Sequence, residues 1–114
     1  MNKQDFNSIV LKRCDLIKDV LFTKNKEYAN DIEAFHNFKS ACGLSFHNSQ
    51  EKVAWEFMVK HLQSIKDIIE HVSIDGANGY PKESLVEEKI GDAINYLILI
   101  EGMLKERIKQ YNKL

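Results

Sequence analysis

The stretch Glu87-Glu88-Lys89-Ile90-Gly91-Asp92-Ala93-Ile94-Asn95-Tyr96-Leu97-Ile98-Leu99-Ile100 decides the fold class. At helical spacing Val86, Ile90, Ala93, Leu97, Ile100 and Leu104 form one apolar stripe. Glu88, Asp92, Asn95 and Leu99 form a second stripe on the far side. A helix apolar on both sides belongs in the middle of a bundle, or between a bundle and a partner. A carboxylate pair at i, i+4 in such a helix is costly to bury unless hydrogen bonds, cations or a metal compensate it. Function is expected where position and chemistry conflict in this way.

Outward from this helix, one proline and five glycines in 114 residues leave few breakers. A periodic segment from Gln4 to Tyr28 puts Phe6, Val10, Cys14, Ile17, Leu21 and Tyr28 on one face, widened by Ile9, Leu16 and Val20. Ile32 to Phe46 is rich in aromatics and reads as a short helix and a turn at Gly43, its rings packed over the end of the bundle. A second long helix is predicted from Asn48-Ser49-Gln50-Glu51, with Asn48 as N-cap and Glu51 as its reciprocal partner, to about Val72. Asp75-Gly76 and Asn78-Gly79 mark a loop. After Pro81, Ser84-Leu85-Val86-Glu87 is a further capping-box candidate, opening a third long helix that ends near Gln110. The expectation is one all-α domain over residues 1–114, with three long helices and a short one in a bundle completed by oligomerisation. A two-fold homodimer is the simplest such assembly, because one small bundle does not cover both sides of the third long helix.

Bulk properties exclude several classes. The formal net charge is −1, without the basic footprint of a general nucleic-acid binder. No apolar run reaches the roughly 18 residues of a membrane span, and the polar start of the chain is unlike a signal peptide. Cys14 and Cys42, the two cysteines, form no CxxC and read as reduced, buried small side chains. Together these features predict an intracellular, cytoplasmic protein.

Three places can carry chemistry. Glu88 and Asp92 lie one turn apart on one face, which lets them share a divalent cation. Mg²⁺, with Mn²⁺ as the other candidate, suits few carboxylates, retained waters and phosphate oxygens. Asn95 on the same stripe would contact a bound ligand. The other reading is a solvated seam in which both carboxylates offset a lysine. On the second long helix, Glu56 and Lys60 fit a stabilising i, i+4 pair. They equally fit a further metal ligand, Glu56, and a phosphate contact, Lys60, set beside Glu88 and Asp92. His61, within the apolar stripe, reads as a hydrogen-bonded core histidine. At the end of the first helix, Lys24 and Lys26 offer cations and Tyr28 a stacking ring for a phosphate or nucleobase. The same cations also suit the negative end of a helix dipole. No glycine-rich phosphate loop, nucleophile elbow or catalytic triad is present.

Lys24-Asn25-Lys26-Glu27-Tyr28-Ala29, Phe35-His36-Asn37-Phe38, Lys60-His61 and the stretch from Glu87 to Leu97 together resemble small bacteriophage and prophage proteins of unassigned role. That group looks like a distant branch of the all-α, MazG-like nucleoside triphosphate pyrophosphohydrolases. The resemblance covers roughly residues 10–105. It implies Mg²⁺ held by carboxylates from two helices and hydrolysis of a nucleotide between its α- and β-phosphates. In that scheme Glu88 and Asp92 act at the metal, and Lys60, Lys24 or Lys26 neutralises developing phosphate charge. The chain departs from the family in two respects. Its acidic pair is one residue wider than the usual Glu-x-x-Asp, and the earlier Glu-Glu-x-x-Glu is missing. Glu27, Glu56, Asp67 or a second subunit would have to supply further ligands. The alternative expectation is a non-catalytic helical binding protein of phage origin. It would hold a nucleotide or a signal molecule, or block a host protein.

Overall fold

The computed structural model describes residues 1–28, 33–72, 76–77 and 79–113, with only the backbone of 24–28. Four helices account for nearly all of it: α1 (Lys3–Tyr28), α2 (His36–Cys42), α3 (Gln50–His71) and α4 (Glu83–Asn112). This is an all-α bundle of three long helices and one short one.

Local chemistry sets where the helices start. Ser49 is the N-cap of α3, in extended conformation, and its hydroxyl accepts the Lys52 N–H at 3.3 Å. Asn48, the cap expected from the sequence, instead accepts from the Lys52 ammonium with its side-chain oxygen, at 3.3 Å. Helix α4 begins at Glu83, so Ser84 lies inside the first turn and caps nothing. Lys82, extended after Pro81, is the N-cap, and its carbonyl accepts the Leu85 and Val86 N–H groups. Glu87 is thereby released from a capping role, and its carboxylate meets Lys12 of α1 at 2.6 Å. In the connection between α3 and α4, Gly76 and Gly79 have positive φ, and the Gly79 N–H donates to the Gly76 carbonyl at 2.9 Å. Asp75 and Asn78, the other halves of the expected turn pairs, lie outside the described residues.

Helices α3 and α4 share the largest interface and run antiparallel, with Glu51 beside Arg107 at one end and His61 beside Asp92 further along. Helix α2 lies across the end of this pair. Its Phe38 is 1% exposed and forms the core with Val53, Ala54 and Met103. The Phe38 ring sits 6.2 Å from that of Phe57 and 6.3 Å, edge-on, from that of Tyr96. Phe35 packs over Gly102, where an added Cβ would stand 2.9 Å from the ring. Lys39 ties α2 down, reaching Glu33 at 2.8 Å and Glu106 at 2.9 Å. The third aromatic of this segment, Phe46, is fully exposed, contrary to the expected ring cap. Helix α1 packs along the other side of α4 and touches α2 only slightly. Cys14 is exposed on it, not buried as expected, because one neighbour covers only part of the α1 apolar face. The radius of gyration is 17.2 Å, against about 13 Å for a compact domain of this length.

The Glu51–Arg107 contact, 2.5 Å, gives the fold an acid-sensitive clamp. The Arg107 hydrogen bond holds the Glu51 carboxyl below its ordinary range. A depressed carboxylate stabilises the fold above its unfolded value, about 4.3, and that contribution disappears as pH falls through the lower folded value. Glu33, held down first by Lys39, adds in the same direction. Urea melts at pH 7 and pH 3 should therefore show a smaller acid loss for Glu51→Gln than for the parent. The difference should be no more than about 1 kcal/mol, because the arginine side is half exposed. Equal losses in both proteins would remove the clamp from the acid response.

Candidate functional site

A crevice of 270 Å³ opens between α1 and the first half of α4, and Glu88, Asp92 and Asn95 line it. Across from them stands Arg13, held by two features of α4. Its Nη2 donates to the Glu87 carbonyl at 3.0 Å, and its Nη1 occupies the space beside Gly91, only 2.6 Å from where a Cβ would be. Any side chain at position 91 would push the guanidinium aside. Lys12 reinforces the docking, its pKa raised first by the hydrogen bond to the Glu87 carboxylate.

Asp92 lies on the seam between the crevice and α3. Its Oδ2 is 3.4 Å from Nδ1 of His61, and both side chains are half-buried. The imidazole is stacked on Tyr96, centroids 5.4 Å apart and planes 26° apart. Because Tyr96 also packs edge-on against Phe38, the core holds the ring that orients His61. Asn95 contributes a shielded carbonyl: Oδ1 has no hydrogen-bond partner and almost no solvent exposure. A buried acceptor left in this state loses about 1–3 kcal/mol, so a donor or cation entering the crevice would be favoured there. Glu88 is exposed and has no ion-pair partner among the described residues.

Several expected members of the site are elsewhere. Lys60 is exposed and pairs with neither Glu88 nor Asp92. The inward stripe of α3 is Ala54, Met58, His61, Ile65 and Ile68, and at 3.6 residues per turn Lys60 projects about 120° away from it. His61 takes the place beside the carboxylate that was expected for Lys60. Glu56 projects still further round, pairs with His47, and is not brought to Glu88 and Asp92. Asp67 accepts a hydrogen bond from Gln63 at 2.8 Å along its own helix. Lys24, Lys26, Glu27 and Tyr28 are in the last turn of α1, and their side chains lie outside the description. Among the described residues no three or more His, Cys, Asp or Glu side chains are grouped to hold a metal ion. None of the described helices is long and apolar enough to cross a membrane.

Arg13 was not picked out by the motif reading, although its position carried a signal. It is a cation within the α1 apolar stripe, between Phe6, Val10, Ile17 and Val20. Gly91 carried the matching one as a glycine in the interior of a long helix, which costs about 1 kcal/mol relative to alanine. The two are halves of one contact. No family model, curated protein or solved structure matches the chain.

Proposed function

We propose that the α1–α4 crevice binds a nucleotide, or a nucleotide-like phosphate ester, together with Mg²⁺ or Mn²⁺. The observation that carries this reading is the convergence of Arg13, Glu88, Asp92 and Asn95 on one crevice. Two carboxylates suit a hard cation that keeps waters and takes its remaining oxygens from phosphates. They do not make a closed protein cage, so the cation would arrive with the ligand. The Arg13 guanidinium has five donors and spends one on the Glu87 carbonyl. The others are free to meet phosphate charge, and Asn95 brings an acceptor in want of a donor. The resemblance to MazG-like pyrophosphohydrolases falls on this same acidic stripe. On that analogy, water would attack the α-phosphorus and pyrophosphate would leave.

Binding without turnover is the second reading, and two observations favour it. Lys60 stands away from the carboxylates, and no third acidic ligand joins Glu88 and Asp92 among the described residues. The chain would then hold a nucleotide or signal molecule, or block a host protein. Incubating the protein with nucleoside triphosphates and Mg²⁺ or Mn²⁺, and following both melting temperature and products, separates these cases. A metal-dependent stabilisation of about 2.7 kcal/mol at a hundred times Kd is the expected binding signature. Release of monophosphate with pyrophosphate makes the protein an enzyme, and binding with intact triphosphate makes it a receptor. No response to any nucleotide with either metal would sink the proposal.

A further inference from the structure

Helix α4 has two faces with opposite chemistry. Leu97 and Leu104 lie nine residues beyond Glu88 and Asn95 respectively, which is about 2.5 turns and therefore the opposite side of the helix. On that side Leu97, Leu104 and Ile108 are exposed, and Val86, Ile90 and Ile94 are half-covered. Both flanks continue the apolar surface. Trp55 and Val59 of α3 share a cleft with Ile100, while Phe6, Ile9 and Val10 of α1 share a groove of 640 Å³ with Ile90 and Ile94. Three helices thus form one layer whose exposed face gathers these apolar side chains, interrupted on α4 by the Glu101–Lys105 pair.

The exposed area indicates what covers it. The chain exposes 8759 Å², where a folded monomer of 13.2 kDa exposes about 6,400 Å². The excess is about 2,300 Å² per chain, or about 4,600 Å² for two copies. Obligate homodimers bury about 2,000–5,000 Å² and are the most apolar of interfaces. Exposed apolar side chains gathered on one face, Leu97, Leu104, Ile108, Trp55 and Val59 among them, are the kind of surface such an interface covers. We infer that a second copy of this chain packs on the α1–α4–α3 face, leaving Glu88, Asp92 and Asn95 of each copy on the opposite side of α4, with Arg13 and Leu16 forming the wall between groove and crevice. A two-fold pairing is self-complementary, because each copy offers the same central stripe to the other. The inference rests on area and face alone, independently of what the crevice binds.

The test is the mass of the full chain by sedimentation equilibrium at tens of micromolar, with Trp55 fluorescence and helicity followed in parallel. The parent should run at twice 13.2 kDa. The single tryptophan, 54% exposed in one chain, should shift to the blue as the dimer forms on concentration. Leu97→Glu with Leu104→Glu should give the single-chain mass at the same concentration with helicity retained. If the separated chain does not hold its helices, Leu104→Ala should instead raise the dimer dissociation constant at least tenfold. Leu11→Glu, exposed on α1 outside the groove, should leave the dimer intact. A parent with any mass other than two chains overturns the inference. So does a dimer indifferent to the Leu97 and Leu104 changes, or one dissociated by Leu11→Glu.

Discussion

Phe38→Ala should lower the unfolding free energy by about 3–5 kcal/mol, the range for removing a fully buried phenylalanine. The site has little capacity to collapse around the loss. Phe38 is the largest side chain in a core of few members, enclosed by Val53, Ala54 and Met103. Its ring also abuts those of Phe57 and Tyr96. Truncation forfeits buried apolar area and leaves a cavity where α2 meets the α3–α4 pair. Native domains hold only about 5–15 kcal/mol in total, so the variant should be near the limit of folding. Urea unfolding followed by circular dichroism measures the change. Phe46→Ala is the matched control: its ring is fully exposed, and the expected change is within about 0.5 kcal/mol. Comparable losses in the two variants would mean that α2 does not seal the core. A loosened Phe38 pocket should also reach the crevice, since Tyr96 stacks on the imidazole that faces Asp92.

Glu88→Gln combined with Asp92→Asn should abolish metal-dependent nucleotide binding and leave the helical fold in place. Loss of a group that merely orients a metal ligand weakens metal affinity by about 10–100-fold. Losing both carboxylates that would hold the cation should exceed that. The stability change is expected to be small because two effects oppose each other. Relief of like charge at i, i+4 gains about 0.2–0.5 kcal/mol. Loss of the half-buried Asp92–His61 contact takes back an amount of the same order, no more than about 1 kcal/mol. Melts of parent and double variant, each with Mg²⁺ alone and with Mg²⁺ plus nucleotide, give the readout. The parent should respond weakly to metal alone and strongly to both together, and the variant to neither. A variant that keeps the full response would move the ligand away from this crevice. One that unfolds would make the carboxylates structural partners of His61 and Arg13.

The helices themselves were legible in the residues. Apolar spacing near 3.6 located three long segments and a short one, and their ends differ from the observed ones by a residue or two at most places. The opposition of acidic and apolar stripes on α4 was equally legible, because it is a property of one helix. Choices that depend on which helix meets which face were not. Helical periodicity places residues around an axis but leaves open the direction in which a neighbour packs, and one residue of error is a rotation of about 100°. Lys60 and His61 differ by that one step, and only the docking of α3 on α4 put the imidazole beside Asp92 and turned the ammonium outward. Asn48 and Ser49 are equally good caps by composition; the Ser49 hydroxyl has the reach to the Lys52 N–H once the extended backbone is set. Cys14 sits on an apolar stripe that a closed bundle would bury, and it is exposed because α1 has one substantial neighbour. Arg13 and Gly91 are 78 positions apart, and each alone looks like a flaw in its helix. Tertiary packing decided that the flaws coincide, because a guanidinium needs the space that a missing side chain leaves.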